Sequence, residues 1–208
     1  MNILVIAPHP DDETIGCGGS LCHHADNSDE ISVVFLTSGE LGLKHLPRTK
    51  AWAIRESEAR KAAGILKVKE LSFLRCSDWT LSDEIPKAAS LLRPVLEKNQ
   101  PRLIYLPHPH DGHPDHQAAL PILRAALNGL GSTKPALRLY EVWSPLSKYD
   151  VVLDISACMA RKIRALRAHK SQVQSLDYVR AVTGLNQFRG VLAAQSKFAE
   201  VFAECPVP

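Results

Sequence analysis

The feature that most constrains this chain is an alternation along its first two thirds. Short apolar runs at 3–7, 31–36, 70–74, 103–106 and 137–142 are separated by helix-period segments at 14–25, 51–66, 84–97 and 115–127. Continuous apolar runs bounded by turn residues read as strands buried on both faces. The segments between them are long enough to carry the chain back across a sheet. Because such crossovers are right-handed, few arrangements bury all the strands. The pattern predicts an α/β, Rossmann-like fold: a mostly parallel sheet with helices on both faces in a three-layer sandwich.

The 208 residues, 45% of them hydrophobic, suffice for one core and leave little for a second, so a single domain spanning 1–208 is expected. After about residue 140 the pattern changes. Residues 151–155 read as a further strand, 156–171 as basic and helical, and 176–202 as helical in part, with Pro206 and Pro208 marking the end. The net charge of +3 is spread among interleaved acids and bases, which gives no nucleic-acid footprint. The apolar stretch 2–7 stops at Pro8, too short for a secretory leader or a transmembrane segment, so the expected compartment is cytoplasmic. Cys17, Cys22, Cys76, Cys158 and Cys205 are odd in number and lack a CxxC pair, which reads as free thiols.

Two polar clusters follow two of the buried runs directly. The first strand runs into Pro8-His9-Pro10-Asp11-Asp12-Glu13, and the fourth into Pro107-His108-Pro109-His110-Asp111-Gly112-His113-Pro114-Asp115-His116. In open parallel sheets ligands sit beyond the carboxyl ends of the strands, where the strand order reverses, and strands one and four flank that point. Clusters about a hundred residues apart in sequence are therefore predicted to meet. Histidine and carboxylate together suit Zn²⁺ with a water completing the coordination. His9 and Asp12 are placed to converge on one ion, with His116 arriving from the other strand end and Asp11 facing the water. Helix capping and the helix dipole account for one or two of the acids without chemistry, but not for the paired histidines. Gly16-Cys17-Gly18-Gly19 does not open the helix directly after the strand as a dinucleotide fingerprint does, and reads as close helix packing.

With Gly18-Gly19 after the first cluster and His113-Pro114-Asp115-His116 in the second, the chain resembles the PIG-L/LmbE-like family of zinc-dependent N-deacetylases. Further matches are Thr37-Ser38-Gly39-Glu40, Arg55 with Glu58 and Ala59, and Lys162 through Ala168-His169-Lys170-Ser171-Gln172. The resemblance implies an amide hydrolase that removes acetate from an N-acetylated amino sugar or its conjugate. It implies that His9, Asp12 and His116 hold one zinc ion and that Asp11 is the general base. His113 becomes a protonated imidazole that stabilises the oxyanion and helps the amine leave, with Asp115 orienting its ring. Arg55 and Asp78 match positions that contact sugar hydroxyls. His108, His110 and Asp111 crowd the loop before His113, where an extra histidine is a competing ligand. Relatives of this kind often form homo-oligomers.

Blander readings cover the remainder. His23, His24 and His45 read as solvated. His169, in the basic stretch with Arg161, Lys162, Arg164, Arg167 and Lys170, reads as packing or a subunit contact on a solvated face. Trp52, Trp79 and Trp143 read as core or interface, with Trp79, beside Asp78, a candidate for sugar stacking. Three rival functions are a metal-dependent hydrolase of another bond such as a phosphoester, a non-catalytic metal- or sugar-binding module, and a nucleotide-binding oxidoreductase. The missing glycine fingerprint disfavours the last.

Overall fold

The computed structural model describes residues 1–131 and 134–206, so Pro208 lies outside the described residues. Seven strands form the sheet: β1 (Asn2–Ala7), β2 (Glu30–Thr37), β3 (Glu70–Cys76), β4 (Leu103–Pro107), β5 (Ala136–Tyr140), β6 (Val151–Asp154) and β7 (Ala199–Cys205). Their order is β3-β2-β1-β4-β5-β7-β6. β1 to β5 pair in parallel, and β7 runs antiparallel to both β5 and β6. The order reverses between β1 and β4, as the two polar clusters require.

Each central strand divides its side chains between two cores. Ile3, Val5 and Ala7 join one cluster with α1 (Asp12–Asp26), α2 (Arg48–Leu66) and α5 (Met159–Leu166). Leu4 and Ile6 join the other with α3 (Ile85–Asn99) and α4 (Pro114–Leu127). The continuous apolar runs arise because both pleat faces are covered. The glycines of α1 allow the closest approach in that first core: a Cβ on Gly16 would lie 2.1 Å from the Tyr140 ring, and one on Gly19 would lie 2.7 Å from Ile155. The packing reading of this run holds.

The C-terminal third meets expectation in β6, in α5 and in a partly helical 176–202, and departs from it in its last strand. Of 176–202, only α7 (Tyr178–Arg189) is regular α-helix, and the stretch ends in β7, which fills the sheet between β5 and β6. Residues 199–202 are all buried, so the alternation that marks a strand is absent. The basic stretch is solvated at Arg164, Arg167 and Lys170, but Lys162 is fully buried and its Nζ bonds Ile15 O, Asn186 Oδ1 and Glu200 Oε1 at 2.7 to 2.8 Å. His24 is also buried, between Asp29 and the Tyr105 hydroxyl, whereas His23 and His45 are exposed. The cysteines are free. Among the described residues no helix is long and apolar enough to cross a membrane.

Candidate metal centre and catalytic cleft

The loop after β1 turns sharply into α1. Asp11 caps it with φ +131°, a backbone region that costs a non-glycine residue energy. The helix that follows starts with Asp12 and Glu13, whose charges suit its positive end. After β4, α4 begins with Pro114 at its first turn and His113 as its cap, the His113 Nδ1 accepting the Asp115 N–H at 3.2 Å. His116 lies three residues on, so its ring stacks on that of His113 at 4.8 Å.

These two helix starts bring three donor atoms together. Asp12 Oδ2 lies 3.2 Å from His9 Nδ1 and 3.3 Å from His116 Nε2, and the two nitrogens are 3.3 Å apart. A tetrahedral ion with bonds of zinc length needs ligand–ligand edges of about 3.3 Å. Two facing imidazole nitrogens at that distance repel unless a proton or a cation lies between them. The donor set, the spacing and that repulsion all fit a small divalent cation.

The outer partners complete the fit. His116 Nδ1 pairs with Asp111 Oδ1 at 2.8 Å, and His9 Nε2 with Asp115 Oδ2 at 3.1 Å. Carboxylates behind ligating histidines fix tautomer and ring orientation. Burial lowers the His116 pKa, but Asp12 and Asp111 outweigh it and raise it to about 9. Burial likewise opposes the charge on Asp12, but His116 and His9 hold its carboxyl well below the usual range. His113 also brings a ring nitrogen near His9 and His116, but its Nδ1 is committed to α4. Asp78 and Asp115 form a second possible trio with His9. There the His9 N–H is directed to Asp115, and the Asp78 Oδ1, at 3.1 Å from the same nitrogen, has no hydrogen-bond partner.

Asp11 stands outside the triangle. Its carboxylate meets Arg55 Nη2 at 3.2 Å. Burial raises its pKa to about 6, with Arg55 opposing. Arg55 is itself buried, donating from Nη1 to Gly39 O and from Nη2 to Pro10 O. Gly39 has φ +60°, and a Cβ there would lie 2.3 Å from Arg55 Nη1, so this position requires glycine. Thr37 Oγ1 donates to Pro8 O, Ser38 to Glu56, and Glu58 accepts from Ser171 N and Oγ. The supporting sequence matches thus form the frame around the first cluster.

Three expectations change on this geometry. The Asp115 carboxylate orients His9 and also holds Trp79 N and Leu81 N; its backbone N–H, not its side chain, fixes His113. For His113 the shift runs against protonation: burial and the facing His9 and His116 lower its pKa to about 4. With Nδ1 accepting, the neutral ring carries its proton on Nε2. His108 is no competing ligand, since Nε2 pairs with Ser144 O and Nδ1 accepts from His110 N, while His110 is exposed.

The site opens into a cleft of about 220 Å³, lined also by Leu41, Arg55, Asp78, Gln172 and Tyr178. Trp79 and Trp143 flank its mouth, half exposed, with ring centroids 4.5 and 5.2 Å from His113. Each indole is anchored through its backbone N–H, Trp79 on Asp115 and Trp143 on Asp111. Trp143 carried no sequence signal, because what places it is a carboxylate 32 residues away.

Fold and site together define an α/β protein with a candidate metal centre at the switch point of its sheet. Residues 4–127 match the family model PIG-L, GlcNAc-PI de-N-acetylase, and the chain belongs to this family of deacetylases, hydrolases of amide C–N bonds. It is 29% identical over 184 residues to a probable N-acetyl-alpha-D-glucosaminyl L-malate deacetylase 2 of Bacillus anthracis, covering 82% of this chain and 81% of that one. The N,N'-diacetylchitobiose deacetylase of Pyrococcus horikoshii superimposes with a TM-score of 0.82 at 26% identity, over 98% of this chain and 83% of that one. The 4-carboxy-2-hydroxymuconate hydratase GalB of Pseudomonas putida shares the fold at TM-score 0.78 and 22% identity, over 99% and 97%. The fold by itself therefore does not choose the reaction.

Proposed function

We propose that the chain is a zinc-dependent N-deacetylase that hydrolyses the acetamide of an N-acetylglucosamine-type sugar or conjugate, giving acetate and the free amine. The observation that carries this reading is the triangle of His9, Asp12 and His116 donors beside an unligated, strained Asp11. A binding module needs the triangle but not the base. The deacetylase names of the sugar-processing relatives supply the substrate class.

Zinc held by the triangle would lower the pKa of a water towards ~7 and polarise the acyl oxygen. Asp11 is placed to accept a proton from the water that attacks the acetyl carbon. The neutral His113, its Nδ1 fixed on α4, offers Nε2–H to the developing oxyanion; one such donor contributes on the order of 3 kcal/mol to the transition state. Asp11 then returns the proton to the departing nitrogen as the C–N bond breaks, so one carboxyl serves both halves of the reaction. Arg55 supports Asp11 from behind, and Asp78 lines the cleft wall with its Oδ1 beside His9 Nε2 and its Oδ2 accepting the Leu41 N–H. Phosphoester hydrolysis fits less well, because the Arg55 guanidinium is already paired with the Asp11 carboxylate.

Acetate release from a panel of N-acetylglucosamine compounds, with zinc and after chelation, tests the reading. Zinc-restored acetate release is expected. Bound metal with no acetate from any member would overturn it.

A further inference from the structure

His169 is a buried titratable group that the mechanism leaves unused. It lies in the short link between α5 and α6 (Lys170–Val173), is fully buried, and is not among the side chains lining the cleft. Neither of its ring nitrogens has a hydrogen-bond partner, although Nε2 stands 3.5 Å from Glu13 Oε1. A residue kept only for packing would do better as phenylalanine, which has no polar atoms to strand in the interior.

Glu13 connects this ring to the chemistry. Its Oε1 accepts the Thr14 hydroxyl at 2.6 Å, and its Oε2 accepts the Asp11 N–H at 3.1 Å. Asp11 is thus held from two sides: Arg55 grips its carboxylate and the preceding carbonyl, and Glu13 grips its amide. The strained φ of +131° persists only while such contacts over-determine it. His169 stands directly behind the second grip. Helix α6, which follows it directly, is pinned to α2 through Ser171 on Glu58.

We propose that His169 is a positioning residue for Asp11, acting through the Glu13 carboxylate to keep the base in its strained backbone conformation. The imidazole turns an N–H toward Glu13 Oε1 and fixes that carboxylate, which in turn fixes the Asp11 amide. His169 touches neither substrate nor metal, so its removal changes turnover without changing what binds. This inference rests on Asp11 being the base of the proposed reaction.

The test compares His169→Phe, which keeps a ring and loses the donor, with His169→Gln, which keeps a donor. His169→Phe should lower kcat by about 10²-fold, the scale of a small misplacement of a reacting group, with KM and zinc content unchanged. His169→Gln should recover most of that loss. In an Asp11→Asn background His169→Phe should have almost no further effect, since the group it positions is gone. Equal activity of the Phe variant and the parent, or the same loss with and without Asp11, overturns the proposal. If the parent releases no acetate, the functional reading fails separately, and a crystal structure of His169→Phe decides the positioning claim. Asp11 should relax out of positive φ; an unchanged Asp11 backbone overturns it.

Discussion

Helix α1 carries a buried charged cluster at each of two places, and the two are built differently. Midway along it, Glu200 accepts from Gly19 N, Ser20 N, Ser20 Oγ and Lys162 Nζ, and Lys162 spends all three of its protons. At its start, Asp11 and Trp79 hold positive φ, and the buried side-chain atoms without partners among the described residues are Arg55 Nε, Asp78 Oδ1 and both nitrogens of His169. The satisfied cluster locks α5, α7 and β7 onto α1 and has no capacity left for a ligand. The other keeps strain and unpartnered polar atoms beside the candidate metal centre. Equal burial of charge thus serves shape in one place and chemistry in the other.

That contrast breaks most visibly at Asp11. Asp11→Asn should keep its metal and lose about 10²- to 10⁴-fold in kcat, measured as acetate release. A comparable loss of zinc would show Asp11 to be a ligand and not a base. Lys162→Met should do the reverse. It leaves Glu200 buried without its counter-charge, so denaturant unfolding should show a loss of about 3–5 kcal/mol, while turnover per folded molecule is preserved. Unchanged stability would remove the structural role assigned to that cluster.

Asp111→Asn sharpens the comparison inside the site. The substitution removes the charged acceptor behind His116, and zinc affinity measured by chelator competition should fall about 10- to 100-fold. The smallest effect lies in the pH profile. Burial raises Asp11 to about 6, so its carboxylate is available above that pH and lost to protonation below it. kcat/KM should therefore rise with pH through a limb at or below about 6, the bound cation moving it downward. Rising activity on acidification through that range would contradict the base assignment.

Much of this was legible in the residues. The five apolar runs and four helical segments became β1 to β5 and α1 to α4 because each is defined by local periodicity. The two histidine clusters met because β1 and β4 are neighbours at the strand reversal. What stayed hidden depends on partners distant in sequence. Lys162 and His169 sit in a basic stretch that looks solvated, yet their counter-charges are Glu200 and Glu13. Burial of Glu200 also erased the alternation that would have marked β7. Asp115 looked like the partner of His113 two residues away, but its carboxylate reaches His9, 106 residues distant.

The central claim is that His9, Asp12 and His116 hold the metal while Asp11 does not. Its most direct test is the zinc content, after loading and desalting, of the parent, Asp11→Asn and His116→Ala proteins measured together. The account predicts about one zinc per chain in the first two and none in the third. No zinc in the parent, or equal loss in both variants, would contradict it.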